Sequence, residues 1–273
     1  MKTIISYTLL GSLAVTIFIA CQKKSDLASQ ASPVTTFHVY LTDHPTPVFD
    51  SVFIDLQGLE VRLSDDSLGN DGWQALTIHP GVYNILNFRN GLDTLFATGN
   101  IPGNHITKLR LTLGTQNSVM KDGNSFPLRI NDHDRQVVVN IGTDNFDQLS
   151  QDQILFWLDF DAAQSIRVDN SGPGNNNGFV LKAHLNVFGK SRSGSIEGRI
   201  LPQAADPVVT AMSATDTASA IPDRHEGEFK IMGLPAGVYT IFVDGNNGYG
   251  DTTIHNVIVR KGEDTHLGLI SLH

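Results

Sequence analysis

The chain is nearly without cysteine: Cys21 is the only one in 273 residues, so no internal disulfide can form. Positive charge is scarce too, with 19 Lys and Arg against 28 Asp and Glu, a net charge of −9. Outside the tether pair Lys23-Lys24 there is no Lys/Arg cluster, and an acidic chain without a basic face is a poor nucleic-acid partner. Enzyme signatures are missing: there is no Gly-x-Ser-x-Gly elbow, His-Glu-x-x-His helix or phosphate-binding loop. No nucleophile–histidine dyad stands out, and a non-enzyme is predicted. The ten histidines are scattered singly without zinc-type spacing and read as surface or strand-end residues. Long apolar runs are rare as well. The one candidate, from Ile4 to Ala20, is slightly short for a transmembrane helix, which needs about 20 residues to cross ~30 Å of hydrocarbon.

That run has the parts of a secretory signal: Lys2 at the start, an apolar middle, and the small residue Ala20 at its end. Its last residues, Phe18-Ile19-Ala20-Cys21, resemble the bacterial lipobox, with Phe18 where Leu is usual. The resemblance implies cleavage before Cys21 and lipidation of its thiol, which gives a lone cysteine in a secreted chain its explanation. Each buried acyl methylene contributes about 0.8 kcal/mol, so two or more chains anchor stably. The expected partner is therefore a membrane, reached through lipid, in the cell envelope. Gln22 rather than Asp follows Cys21, so the inner-membrane retention signal of enteric bacteria is lacking. The outer membrane is expected where the source has one. Residues 22–35 are polar and poor in large apolar side chains, a tether that spans up to about 45 Å when extended.

From Thr36 on, the pattern is strands and turns. Val52, Ile54 and Leu56 alternate with polar or outward residues, as do Leu59, Val61 and Leu63, then Leu109, Leu111 and Leu113, then Val137, Val139 and Ile141. Residues 154–160 are apolar on both faces as far as Asp159, as in a central strand. Short helical pieces are expected only at 90–97 and 144–149. A small polar stretch at 189–194 marks a boundary between two strand-rich regions. The fold class predicted is all-β: two antiparallel β-sandwich domains following a signal peptide and flexible tether. The expected divisions are 1–20 signal peptide, 21–35 lipidated cysteine and tether, 36–188 first sandwich, and 194–273 a second sandwich of seven strands.

Two resemblances add to this. The stretches Gly-Ser-Ile-Glu-Gly-Arg-Ile at 194–200, Gly-Glu-Phe-Lys-Ile at 227–231, Gly-Leu-Pro-Ala-Gly-Val-Tyr-Thr-Ile at 233–241 and Gly-Tyr at 248–249 resemble the carboxypeptidase regulatory-like (prealbumin-like) domain. In the third stretch Gly233 and Gly237 are expected to take backbone angles closed to other residues, and Pro235 to preset a turn. This resemblance implies a seven-stranded add-on module; some of its wider fold group bind carbohydrate. The larger unit resembles a bacterial lipoprotein family known as domain of unknown function 4382. The residues that carry it are Val-Tyr-Leu-Thr-Asp-His-Pro at 39–45, Phe-Ile-Asp-Leu-Gln-Gly-Leu-Glu-Val at 53–61, Gly-Trp at 72–73, Asn-Gly-Leu-Asp-Thr-Leu-Phe-Ala at 90–97, residues 101–114, and Leu-Asp-Phe-Asp-Ala-Ala at 158–163. The family pattern usually has Ala where His44 stands. The resemblance implies the architecture and no activity.

Among residues that carry chemistry, the carboxylates come first. Asp43 ends the first strand, and Asp159 and Asp161, two apart, are expected on one face of an apolar strand. Buried carboxylates are costly unless paired or metal-bound, and calcium, which takes six to eight oxygens, is the candidate cofactor for the three. The alternative is that they cap turns or accept backbone hydrogen bonds. His225-Glu226-Gly227-Glu228 and the loop from Asp244 to Gly248 read as turns rather than metal sites. Trp157 is expected in the core, while Trp73, Tyr83 and Tyr249 are candidates for exposed stacking on a sugar ring. The functional expectation is a membrane-anchored binding module for a glycan or another envelope protein. The alternatives are a structural spacer or docking subunit of an envelope complex, and an unrecognised hydrolase.

Overall fold

The structure is a computed structural model and describes residues 34–64, 70–102, 105–169 and 178–273. Cys21, the signal and most of the tether lie outside the described residues. So do parts of the turn-rich segments near 65–72 and 170–178.

The chain is all-β, as the alternating patterns predict. Fourteen strands between Val34 and Phe188 hydrogen-bond into one continuous sheet that folds over a single core. Seven more between Gly194 and Ser271 form a three-stranded and a four-stranded sheet around a second core. The alternating residues are where their period puts them: Val52, Ile54, Leu56, Leu109, Leu111 and Leu113 have no solvent exposure. Each such side chain contributes about 1.5–3 kcal/mol by leaving water. The out-of-phase patterns ending at Leu56 and starting at Leu59 belong to one strand, Ser51–Leu63. A bulge at Gln57-Gly58 takes up the extra residue and returns both apolar sets to the same core.

Three expectations need correction. The sandwich is not wholly antiparallel. Val34–Thr42 runs parallel to Gln153–Phe160, Gly194–Leu201 parallel to Asp264–Ser271, and Phe179–Leu181 parallel to Asn124–Arg129. Alternation reports which face is buried but not the direction of a partner far away in the chain. The tether ends earlier than Thr35, because Val34 and Thr35 already pair with Pro102 and Ile101. Residues 90–97 are not helical. Asn90 and Gly91 turn with φ of 62° and 84°, and Thr94–Pro102 then pairs with the first strand, whose ladder outweighs a weak local helical preference. The segment 144–149 likewise holds only a single 3-10 turn, Thr143–Asn145, before the strand Asp147–Ser150.

Between the two cores lies a third apolar cluster of Trp157, Phe188 and Met232. Trp157 is buried, as expected, with one ring face stacked on Tyr40 (centroids 5.2 Å apart) and Phe188 at 6.2 Å. Its Nε1–H donates to Asp93 at 2.8 Å, and the Lys190 ammonium sits 4.4 Å from its ring centre while also pairing with Asp93. Gly233 approaches so closely that a Cβ there would lie 2.6 Å from a Phe188 ring carbon, and its φ of 74° is open mainly to glycine. Gly237, by contrast, has no left-handed φ. Asn90 completes the seam: its Nδ2 donates to the Glu228 carbonyl at 2.8 Å, and its Oδ1 accepts from the Lys230 N–H at 2.7 Å. Residues 189–194 form a tight turn in which the Gly189 carbonyl accepts from the Arg192 and Ser193 N–H groups.

Candidate functional site

The parallel pairing of Val34–Thr42 with Gln153–Phe160 places Thr42 beside Asp159, so both strands finish at the same end of the sheet. The residues that follow them converge there despite a separation of about 115 positions. Asp43 is buried, Asp159 fully so, and Asp161 buried at the head of the one-turn helix Ala162–Ser165. The three carboxylates predicted from sequence are therefore neighbours, but not by the strand periodicity invoked for two of them. Phe160 ends the strand, and Asp161 caps the helix, its Oδ1 accepting from the Gln164 N–H at 2.9 Å.

Sequence reasoning overlooked His44, the residue at the centre. Its backbone N–H donates to Asp159 Oδ1 at 2.8 Å, its Nδ1 lies 2.7 Å from Asp159 Oδ2, and its Nε2 lies 3.1 Å from the carbonyl of Met232 in the second sandwich. Asn186 donates to Asp159 Oδ2 at 3.0 Å. Asp161 Oδ2 accepts from the Gln164 side chain at 2.7 Å. Asp43 Oδ1 accepts from the Ala162 N–H at 3.2 Å, whereas its buried Oδ2 has no hydrogen-bond partner. Among the described residues, His44, Asp159 and Asp161 form the one group whose donor atoms all lie within 4.8 Å of each other. A lone histidine beside a proline carries no spacing signal, and the parallel register that gives it a partner cannot be read from alternation.

The electrostatics follow from burial and crowding. Desolvation, then the charge of Asp159, pushes the Asp43 carboxyl well above its ordinary range. Asp161 is raised by the same two causes. For His44, burial alone would favour the neutral ring, but the attraction of Asp159 and the hydrogen bond to it outweigh this and hold the imidazole up at about 9. A cavity of about 520 Å³ opens onto His44 and Asp161 and is lined by His184, Asn186 and Asp216 among others. It therefore takes side chains from both sandwiches.

The three stacking candidates stand apart. Trp73 is half-buried with the Arg110 guanidinium 4.2 Å from its ring centre, and Arg110 is itself held by Glu60 at 2.6 Å. Tyr83 packs edge-on against Phe96 and donates its hydroxyl to the His79 carbonyl. Along the strand they share as neighbour, Trp73 faces Arg62 and Tyr83 faces Ile54, roughly 25 Å apart at ~3.3 Å per residue. Tyr249 packs against the second core. The turn at 223–228 is organised by Asp223, whose carboxylate accepts from the backbone N–H groups of His225, Glu226 and Glu228.

Comparison with known proteins gives a family and distant fold neighbours. A family model described as Domain of unknown function (DUF4382) matches residues 34–183. No curated protein matches the chain. Among solved structures, the chain is similar to GBS52, the minor pilin of Streptococcus agalactiae, at 10% identity over 87% of this chain and 95% of that one, with a TM-score of 0.22. It is also similar to BcpA, the major pilin subunit of Bacillus cereus, at 8% identity over 88% and 70% of the two chains, with a TM-score of 0.21. The third is the pilus backbone RrgB of Streptococcus pneumoniae, at 8% identity over 88% and 64%, with a TM-score of 0.19.

Proposed function

The chain belongs to the DUF4382 family, and on that premise we propose that it is a non-enzymatic structural and docking module of the cell envelope, lipid-anchored through Cys21. The observation that carries this reading is the seam between the sandwiches. Domains of one chain move against each other by default unless their interface is large and hydrophobic. Here Trp157, Phe188 and Met232 share a buried cluster, Gly233 admits Phe188 at close approach, and Asn90 grips two backbone groups of the second sandwich. Such a unit suits holding a partner in a fixed geometry relative to both sandwiches, within the reach of the tether from the membrane. It does not suit closing around a small ligand. A carbohydrate ligand has weaker support, because Trp73, Tyr83 and Tyr249 each pack against their own surroundings and offer no common platform.

Chemical crosslinking in native envelopes, followed by pull-down, tests the reading. The expected result is a discrete crosslinked species containing an envelope protein, lost from the membrane fraction in Cys21→Ala. A protein that runs alone under all crosslinking conditions would overturn the docking role, and unchanged lipidation of Cys21→Ala would overturn the anchor.

A further inference from the structure

We infer that a second cavity at the junction of the sandwiches, lined by Arg89 and Asp244, is a binding site for a small zwitterion of the amino-acid or short-peptide class. The ligand's carboxylate meets Arg89 and its ammonium meets Asp244. The cavity measures about 640 Å³, within the range of ligand sites, which favour domain junctions. The inference goes beyond the docking role but uses the same fixed seam, because Arg89 belongs to the first sandwich and Asp244 to the second.

The charges of the lining carry the argument. Five charged side chains border the cavity, and three of them are engaged. Asp50 Oδ2 accepts from the Gly123 N–H at 3.1 Å, and Asp206 lies 3.8 Å from the Arg224 guanidinium. Arg89 and Asp244 remain. Both are half-buried, and among the described residues neither side chain has a hydrogen bond or an ion pair. Opposite charges that share a cavity without pairing with each other suit a ligand that carries both complements. A guanidinium takes a carboxylate through two parallel N–H donors, and such charge-assisted bonds are the strong ones. An anion alone would meet three carboxylates in the same lining, and a cation alone would leave Arg89 unmatched. A neutral sugar wants an exposed ring face, and the one aromatic residue of the lining, Phe49, is 8% exposed.

The backbone beneath both residues is fixed. Arg89 lies between two anchored neighbours. The Phe88 carbonyl accepts from the Thr42 hydroxyl at 3.0 Å and the Asp43 N–H at 3.2 Å, and Asn90 grips the second sandwich. Just past Asp244, the Gly245 N–H donates to Asp251 at 3.0 Å. Asn246 and Asn247 then donate their side-chain amides to the carbonyls of Asp206 and Ala204 at 3.0 and 2.9 Å. The walls are preformed, so binding orders little beyond the two charged side chains and needs no closure of the sandwiches.

The test is calorimetry on the full chain in a non-ionic polyoxyethylene detergent, with glycine, diglycine, triglycine and tetraglycine as probes. Each added residue moves the two charges apart by up to about 3.6 Å, so affinity should peak at one length. The expected result is saturable binding at that length, weakened about 10-fold or more in Arg89→Gln and in Asp244→Asn, as the loss of one hydrogen bond to a charged group implies. The N-acetylated peptide should bind the wild type more weakly and no longer distinguish it from Asp244→Asn, which assigns the ammonium to Asp244. Melting curves certify that each variant is folded. No saturable binding of any of the four probes at millimolar concentration overturns the site. Binding unchanged in both variants overturns the residue assignment. Lactose or the doubly capped peptide binding better than the free one overturns the zwitterion. Crosslinking in envelopes judges the docking role independently, so the two readings fail separately.

Discussion

The two sandwiches differ most in what they bury. Among the described residues, the first encloses five aspartates, Asp43, Asp55, Asp147, Asp159 and Asp161, whereas in the second the buried polar side chains are Ser193 and Ser195 at its entrance. Its core is otherwise aliphatic and aromatic, with Tyr239 the exception that donates its hydroxyl to the Pro235 carbonyl at 3.0 Å. A buried carboxylate is tolerated only where the surroundings provide donors or cations, so each one marks a place where the fold gives up cheap apolar packing. Among its described residues the second sandwich makes no such concession. The first makes several, and the densest group sits where it meets the second.

The largest effect expected from this contrast is at Asp159. Asp159→Ala strands the His44 cation beside a fully buried space and should cost about 3–5 kcal/mol, read from urea denaturation. His44→Ala combined with Asp159→Asn removes both charges and should cost less than the single change. If Asp159→Ala were as mild as a surface substitution, the distinction between the sandwiches would fail.

Next comes the seam. Gly233→Ala places a Cβ 2.6 Å from Phe188 at a φ of 74° and should cost about 2–4 kcal/mol from overlap and left-handed strain. A matched change at Gly237, which has no left-handed φ and no close neighbour, should cost less. Equal costs would mean that the seam is not tightly packed.

The smallest effect belongs to the second sandwich's own surface. Asp223 is held below the ordinary carboxylate range, above all by the Glu226 N–H it accepts, with His225 and Glu228 adding to it. A depressed folded pKa contributes stability that is complete above the unfolded value and is lost as pH falls through the folded one. Asp223→Ala should therefore lower the melting temperature slightly at neutral pH, because solvent screens the carboxylate, and the difference should shrink as pH falls through the folded value. A difference that persists in strong acid would contradict the assignment.

Much of the fold was legible. The period-2 patterns at Val52–Leu56 and Leu109–Leu113 identify buried faces because a side chain on a strand has only two sides to choose from. Local rules failed where a distant partner decides. Residues 90–97 became a turn and a strand because the first strand lay ready to pair with them. The candidate site was half legible. Asp43, Asp159 and Asp161 declare themselves as carboxylates among apolar residues. His44 does not, since its role depends on a parallel register with residues 153–159 and on a carbonyl from the other sandwich. Trp157 was legible as core, but its place at the junction was not, since burial alone does not say which core receives it.

The central claim is that two sandwiches form one rigid unit. Pulsed electron–electron resonance tests it most directly, with spin labels at Val138→Cys in the first sandwich and Ile258→Cys in the second. Both positions are exposed, and Cys21→Ser leaves no other thiol. A rigid pair gives a single narrow distance distribution that broadens in Gly233→Ala. A broad or two-peaked distribution in the otherwise unaltered chain would contradict it.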